Sequence, residues 1–141
     1  MSEYTGAKMT PASQSLPVVG VKVNHNLFDG NYQYTTAKYR SETKSLMVFR
    51  SGCFETYCGV SSVGSKTVEV YCWSQVVGKG KLEVWSLDGQ ILLGSAVNDA
   101  TESWDQLQAV FTAAAVGLYR VRLRNLQTDG KAIYFDDLSL L

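Results

Sequence analysis

The sequence closes with Ala132-Ile133-Tyr134-Phe135-Asp136-Asp137-Leu138-Ser139-Leu140-Leu141, an apolar and aromatic run that contains two adjacent carboxylates. An apolar end without a polar tail is typical of a terminus that is paired within a sheet. Aspartate is depleted in strands and costly to bury unpaired, so Asp136 and Asp137 require a cation, a loop amide or water as a partner. Because successive strand residues point to opposite faces, we expect the two carboxylates on opposite sides of the sheet.

The same two-residue alternation recurs upstream of this closing strand. Residues 67–75 and 118–125 each place apolar side chains on one face and polar or aromatic side chains on the other. Turn residues follow both segments. We expect 67–75 to form a hairpin with 81–87 through the turn at 78–80, and 118–125 to form a hairpin with the closing strand through Asp129-Gly130.

Short alternating segments and turns account for most of the chain, and no apolar stripe of three helical turns occurs. Roughly eight to ten strands at this spacing are typical of sandwiches and barrels. We therefore predict an all-β fold, an antiparallel β-sandwich of two facing sheets, over residues 21–141. Residues 1–20 are mostly polar and contain both prolines, which predicts an extended N-terminal arm.

The charge balance excludes several classes of partner. Thirteen basic residues are matched by thirteen acidic ones, and the formal net charge is zero. We therefore predict neither nucleic acid nor an anionic membrane as a partner. No uncharged run approaches the ~20 apolar residues of a membrane span. The first six residues also lack the basic start and apolar run of a signal peptide.

The three cysteines, Cys53, Cys58 and Cys72, form an odd set, which favours free thiols in a reducing compartment. Together with His25 they match no common zinc-ligand spacing, and Cys72 belongs to the apolar face of its segment. We interpret them as small buried hydrophobic side chains.

Catalysis has little support in the sequence. His25 is the only histidine, and neither a nucleophile elbow nor a phosphate-binding glycine loop occurs. Glycoside hydrolysis needs two carboxylates that flank one bond, and Asp136 and Asp137 on opposite strand faces could not do so. We predict that the protein is not an enzyme.

Sugar binding requires exposed aromatic rings beside amides or carboxylates. The residues that fit this description are Tyr71, Trp73, Gln75 and Trp85. Large rings are also common in protein cores, so each of the three aromatics is either a platform for a sugar or part of the core. We assign Trp104 to the core.

A cationic stripe runs along residues 118–125, where Arg120, Arg122 and Arg124 share one face. It is either a solvated strand face or a surface that binds an acidic protein partner. Arginine pairs with carboxylates in a bidentate manner and is enriched at protein interfaces. These three arginines are therefore candidate partner-binding residues.

Five short motifs resemble, in their order and spacing, landmarks of jelly-roll carbohydrate-binding modules of the xylan- and glucan-binding type. They are Asn26-Leu27-Phe28-Asp29-Gly30, Ser45-Leu46-Met47-Val48, residues 67–75, Ser103-Trp104 with Phe111-Thr112, and Tyr134-Phe135-Asp136-Asp137-Leu138-Ser139-Leu140. The resemblance implies a jelly roll and a structural calcium held by Asp29 with Asp136 or Asp137. Asp29 is one methylene shorter than the family's usual glutamate, and the alternative is that it only caps a turn.

Two functions fit this sequence. The predicted arm, in a sequence without an export signal or catalytic domain, favours a virion accessory protein, which decorates or cements a phage capsid or tail through protein partners in an oligomeric assembly. The alternative is an extracellular carbohydrate-binding module that recognises β-glucan, xylan or a surface glycan. A fold by itself does not decide between them.

Overall fold

The computed structural model describes residues 32–35, 38, 40 and 45–141, and within them the chain forms nine strands and no helix. The strands are β1 (Tyr32–Thr35), β2 (Ser45–Val48), β3 (Cys53–Val60), β4 (Gly64–Trp73), β5 (Gly80–Trp85), β6 (Leu92–Val97), β7 (Trp104–Ala113), β8 (Gly117–Asn125) and β9 (Ile133–Leu140). The predicted all-β class is confirmed. The predicted arm at 1–20, His25 and Asp29 lie outside the described residues. The described part of the chain contains no helix with the length and apolarity to cross a membrane.

The strands form two sheets in which every pairing is antiparallel. One sheet has five strands in the order β1-β2-β9-β4-β7, and the other has four in the order β3-β8-β5-β6. The closing strand β9 lies in the middle of the five-stranded sheet, between β2 and β4. A central strand is hydrogen-bonded along both edges, and the apolar side chains of β9 that face the second sheet are buried.

The core lies between the two sheets and follows from the two-residue alternation. On β4, for example, Val68, Val70 and Cys72 are fully buried while their neighbours are only partly covered. The largest fully buried side chains from both sheets are Phe54, Phe135, Leu46, Leu82, Leu123, Ile133 and Leu140. Each such side chain contributes about 1.5–3 kcal/mol through burial. The same alternation places the other half of each strand on an outer face.

Both predicted hairpins are wrong. β4 lies in the five-stranded sheet and β5 in the four-stranded sheet, and β8 and β9 are separated in the same way. The segments between them carry the chain from one sheet to the other. Turn residues indicate a reversal of direction, and a crossover between facing sheets needs one as much as a hairpin does. The turn residues therefore could not determine which strands pair.

A buried amide anchors the crossover between β4 and β5. The side-chain oxygen of Asn98 accepts hydrogen bonds from the backbone N–H groups of Lys79, at 3.1 Å, and Gly80, at 2.9 Å. Its amide nitrogen donates to the carbonyls of Val76 and Ala100, each at 3.0 Å. All of its hydrogen-bonding capacity is used, so burial of this side chain does not incur the free-energy penalty of an unpaired polar group.

The closing strand contains a bulge at its two carboxylates. The register between β4 and β9 shifts by one residue here, and Asp137 has a left-handed backbone with φ of 54°. Phe135 and Leu138 both face the core, so Asp136 and Asp137 both lie on the outer side between them. The expectation that they point to opposite faces is wrong, because an extra residue resets the alternation.

The three cysteines are free and buried, as predicted. Cys58 and Cys72 belong to the core, whereas Cys53 lies outside the core cluster, near the Arg122 and Arg124 charges on the outer side of the four-stranded sheet. Burial raises the pKa of Cys53 and of Cys58 to about 12, and it raises the pKa of Cys72 as well. These thiols stay protonated at neutral pH, so they are poor nucleophiles and metal ligands.

Candidate functional site

The outer side of the five-stranded sheet carries a row of aromatic side chains, and we call it the platform face. Tyr134 on β9, Trp73 on β4 and Trp104 on β7 lie directly opposite one another on adjacent strands. Tyr71 lies on the same face of β4, and all four rings are half-buried. The assignment of Trp104 to the core is therefore wrong, because it shares the outward register of Trp73.

Two of these rings form a corner. The ring centroids of Trp73 and Tyr134 are 6.0 Å apart, and the ring planes are inclined at 75°, an edge-to-face arrangement. A cavity of about 300 Å³ opens at this corner. Its lining residues are Lys38, Trp73, Gln75, Lys131, Ala132 and Tyr134. The volume lies at the lower end of the range for small-ligand pockets, and the lining combines aromatic rings with a few polar groups.

Cations lie over the rings of the platform face. The Lys38 ammonium nitrogen is 3.9 Å from the centroid of Trp73 and 5.8 Å from that of Tyr134. The Arg40 guanidinium carbon is 3.5 Å from the centroid of Tyr71. All three distances are within the range of cation–π attraction. A planar guanidinium stacked on Tyr71 covers that ring, whereas the Lys38 ammonium is a single point charge at the end of a flexible stem.

The two aspartates of the closing strand hold Arg40 in place. Asp136 is fully buried, and its two oxygens accept the backbone N–H groups of Arg40, at 2.8 Å, and Asp137, at 2.9 Å. The Asp137 carboxylate pairs with the Arg40 guanidinium at 2.7 Å. The acid pair thus anchors the segment that covers Tyr71. Among the described residues, no group of three or more His, Cys, Asp or Glu side chains could hold a metal ion.

Buried polar side chains fix the opposite rim of the cavity. The carbonyl of Lys131 accepts hydrogen bonds from the side-chain amides of Asn125, at 2.8 Å, and Gln127, at 3.2 Å. Both amide residues are almost fully buried. The backbone of Lys131 is therefore held by the interior of the protein, although its side chain is exposed. At the other rim, the Ser45 hydroxyl donates to the carbonyl of Lys38.

The outer side of the four-stranded sheet carries Arg120, Arg122 and Arg124 on its inner strand β8, and we call it the arginine face. Glu55 on β3 binds two of these residues, through Arg120 Nη1 at 2.8 Å and Arg122 Nε at 2.7 Å. Its side chain is only 3% exposed. The predicted cationic stripe is thus an alternating network of charges, in which a buried carboxylate neutralises its neighbours.

The rest of the arginine face is paired in the same way around Glu83. This carboxylate accepts the Lys81 ammonium at 3.2 Å, Arg124 Nη1 at 3.4 Å and the indole N–H of Trp85 at 2.9 Å. The guanidinium carbon of Arg122 lies 4.7 Å from the ring centroid of Trp85. Trp85 therefore already has a partner for its N–H group and another for its ring.

The structure divides the residues predicted for sugar binding between the two faces. Tyr71 and Trp73 lie together on the platform face, and Gln75 lines its cavity. Trp85 lies on the arginine face. Sequence reasoning missed Tyr134, although its alternation with the buried Ile133 and Phe135 indicates its face. It also missed Lys38 and Lys131, which lie in irregular segments where no periodicity assigns a face.

No protein-family model and no curated protein matches the sequence. Solved structures match its fold. TmCBM61, in complex with β-1,4-galactotriose, has a TM-score of 0.60 at 12% sequence identity, over 80% of this chain and 83% of its own. The module CBM6cm-2 from Cellvibrio mixtus lichenase 5A, in complex with cellotriose, has a TM-score of 0.54 at 17% identity, over 85% of this chain and 98% of its own. CBM36, in complex with calcium and xylotriose, has a TM-score of 0.50 at 13% identity, over 86% and 98%.

At these identities the likeness shows the fold alone. The chain has the jelly-roll β-sandwich of carbohydrate-binding modules, and the resemblance carried by its sequence motifs is confirmed at that level.

Proposed function

We propose that this protein is a carbohydrate-binding module that holds a glycan on its platform face. The observation that carries the proposal is the corner of Trp73 and Tyr134 beside a cavity of about 300 Å³. The apolar face of a pyranose ring stacks on one aromatic ring, and the second ring, set at 75° to the first, limits its orientation. The amide of Gln75 supplies a donor and an acceptor for sugar hydroxyls.

The proposal is of binding without catalysis. The described residues that line the cavity include two lysines and an amide but no carboxylate. A glycosidase of the common type needs a pair of carboxylates at the scissile bond. Asp136 and Asp137 are engaged with Arg40 instead of lining the cavity.

The ligands of the structural relatives define the first compounds to test. Those proteins were solved with β-1,4-galactotriose, cellotriose and xylotriose. A panel of galactan, β-glucan and xylan in affinity gel electrophoresis therefore samples each backbone. This function implies an extracellular location, where the polysaccharide is found.

The test compares the two half-buried tryptophans of the two faces. Trp73→Ala should weaken glycan binding by about tenfold or more, because a stacked aromatic ring contributes roughly 1.5–3 kcal/mol when it is buried. Trp85→Ala is the matched control and should leave binding unchanged. Thermal unfolding of both variants checks that each still folds. Equal loss in the two variants, or a loss only in Trp85→Ala, would overturn the platform face as the site.

Sugar binding by Trp85 and partner binding by Arg120, Arg122 and Arg124 stay predictions. The hypothesis of a virion accessory protein depends on residues 1–20, which lie outside the described residues, so it also stays a prediction. Deletion of those residues tests it: a virion partner that binds the truncated chain as well as the full chain would remove the role of the arm.

A structural calcium also stays a prediction, and it now depends on Asp29. Both oxygens of Asp136 accept N–H groups, and Asp137 pairs with Arg40. The protein's own groups therefore already stabilise both of these carboxylates. Calcium needs six to eight oxygen ligands. A rise in melting temperature at millimolar calcium, abolished in Asp29→Ala, would establish the site, and no rise would remove it.

A further inference from the structure

The cavity on the platform face contains positive charge that no described carboxylate neutralises. Lys38 and Lys131 both line it, and no described carboxylate lines it with them. Among the described residues, neither ammonium group lies within ion-pairing distance of an Asp or Glu. The described residues therefore form a local excess of two positive charges, in a chain whose formal net charge is zero.

On the arginine face, by contrast, the cations are paired within the protein. There, Lys81 and the three arginines surround Glu55 and Glu83, whose side chains are each 3% exposed. Every one of those four cations is paired with a carboxylate. The two lysines of the cavity have no described carboxylate partner, and they lie beside the aromatic corner of Trp73 and Tyr134.

Both lysines are held at the cavity by their backbones. The buried amides of Asn125 and Gln127 bind the carbonyl of Lys131, and the Ser45 hydroxyl binds the carbonyl of Lys38. Each ammonium group lies at the end of a flexible four-carbon side chain on this fixed backbone. Two adjustable ammonium groups on fixed anchors suit a ligand whose anionic groups vary in position along a chain.

The position of Lys38 bears directly on which sugar can stack. Its ammonium group occupies the face of Trp73, at 3.9 Å from the ring centroid. A neutral sugar that stacks there displaces the ammonium and offers it only hydroxyl groups in return. A sugar that carries an anionic group displaces the ammonium from the ring and pairs with it at the same time.

We propose that the ligand of the platform face is an acidic polysaccharide, whose carboxylate or sulfate groups pair with Lys38 and Lys131 while a sugar ring stacks at the corner of Trp73 and Tyr134. This inference rests on the proposed function and adds the charge of the glycan to it. The shared chemistry is an anionic group on the sugar; uronic acids and sulfate esters are its two sources.

The experiment compares polysaccharides that differ only in charge. Polygalacturonate is tested against its methyl ester, and dextran sulfate against dextran, with binding measured by calorimetry. Wild-type protein should bind at least one charged member more tightly than its neutral partner. The preference should shrink as salt rises from about 0.05 to about 0.5 M, because these charges are exposed. A preference for the charged member in the first pair alone identifies a carboxylate ligand. A preference in the second pair alone identifies a sulfate ligand.

Variants of the two lysines test whether the preference for a charged glycan arises at this cavity. Lys38→Gln and Lys131→Gln should each weaken binding of the charged glycan by about two- to fivefold, the range for an exposed ion pair. Lys66→Gln is the matched control, because it removes the same charge from the other end of β4, where the ammonium group binds Ser62. It should change nothing.

Failure of this inference is distinct from failure of the proposed function. If galactan, β-glucan or xylan binds in a manner that depends on Trp73, and the charged and neutral members of each pair bind equally, the acidic ligand is wrong and the module remains. If neither charged nor neutral glycans bind, both proposals fail. A charge preference that survives unchanged in the two lysine variants also overturns the assignment to this cavity.

Discussion

The platform face and the arginine face are built from similar residues, and each has a half-buried tryptophan with a cation near its ring. On the arginine face, Arg122 lies 4.7 Å from the ring centroid of Trp85, and Glu83 accepts the indole N–H group. On the platform face, Lys38 lies 3.9 Å from the ring centroid of Trp73. The difference lies in the carboxylates that accompany the cations, not in the aromatic rings.

This difference decides what each face can do. Glu55 and Glu83 form ion pairs with the arginines of the arginine face, so a ligand that binds there must first break ion pairs within the protein. A ligand on the platform face displaces one ammonium group from a ring. An aromatic side chain on a strand therefore indicates a binding site only when the polar groups beside it still lack partners.

The largest effect is expected from removal of charge on the arginine face. Glu55→Gln should lower the free energy of unfolding by about 3 kcal/mol, because it removes the charge of a buried carboxylate that binds two guanidinium groups of low exposure. Those groups belong to Arg120 and Arg122, whose side chains are 18% and 11% exposed. Urea unfolding measures the change, and glycan binding should be unaffected.

The matched control for that variant lies on the platform face. Glu69 accepts hydrogen bonds from the side-chain amides of Gln106 and Gln108 and balances no described cation. Glu69→Gln should cost less than about 1 kcal/mol, because these hydrogen bonds are exposed and the glutamine oxygen can still accept them. Equal losses in the two variants would show that the arginine face is not held together by its buried carboxylates.

The next effect in size concerns the tyrosines. Tyr134→Ala should weaken glycan binding by about 1.5 kcal/mol, or roughly tenfold, since it removes one side of the aromatic corner. Tyr57→Ala is the counterpart on the arginine face, where the Arg120 guanidinium carbon lies 5.6 Å from the ring centroid. It should leave affinity unchanged. A loss in Tyr57→Ala with none in Tyr134→Ala would reverse the roles of the two faces.

The fold class could be predicted because each strand shows the alternation of apolar and polar residues within its own sequence. Val68, Val70 and Cys72 face the core in the structure as their spacing indicates. Which strands pair could not be predicted, because the turns after β4 and β8 lead to the opposite sheet and a turn residue encodes only a change of direction. The bulge at Asp136 was likewise invisible, since Asp137 adopts a left-handed backbone that depends on tertiary contacts.

The candidate site could be predicted in part for the same reason. Alternation placed Tyr71 and Trp73 on one face of β4, and the structure agrees. It could not reveal that Trp85 belongs to the other sheet, which requires the topology. Lys38 and Lys131 come from segments far apart in the chain and meet only because β9 passes beside both β2 and β4.

The thiol on the arginine face should make stability depend on pH. Burial raises the pKa of Cys53 from 9.0 to about 12, so the folded state keeps its proton where the unfolded state has lost it. The resulting stability is fully present below pH 9 and is lost as the pH rises toward 12. At pH 10 the cost is on the order of 1 kcal/mol relative to neutral pH.

Cys53→Ala should remove that contribution. The difference in unfolding free energy between the variant and the wild type should therefore shift by on the order of 1 kcal/mol in favour of the variant between pH 7 and pH 10. Chemical unfolding at a series of pH values measures it. A difference that stays constant over this range would mean that Cys53 is not sealed beneath the charges of the arginine face.

The smallest effect is expected from a variant that removes the carboxylate partner of a cation on the platform face. Asp137→Asn removes the partner of the Arg40 guanidinium, whose side chain is 37% exposed, and should cost only about 0.5 kcal/mol of stability. Asparagine tolerates the left-handed backbone at this position, with its φ of 54°, so the bulge is kept.

If unpaired charge is what distinguishes the platform face, this variant should bind an acidic glycan about twofold more tightly than the wild type and a neutral glycan equally well, because one more cation beside Tyr71 becomes available. Asp137→Ala loses the same charge but also strains the backbone, so it should show the same preference with lower stability. Weaker binding of the acidic glycan in Asp137→Asn would instead mean that the Arg40 pair positions the site, and that fixed geometry matters more there than free charge.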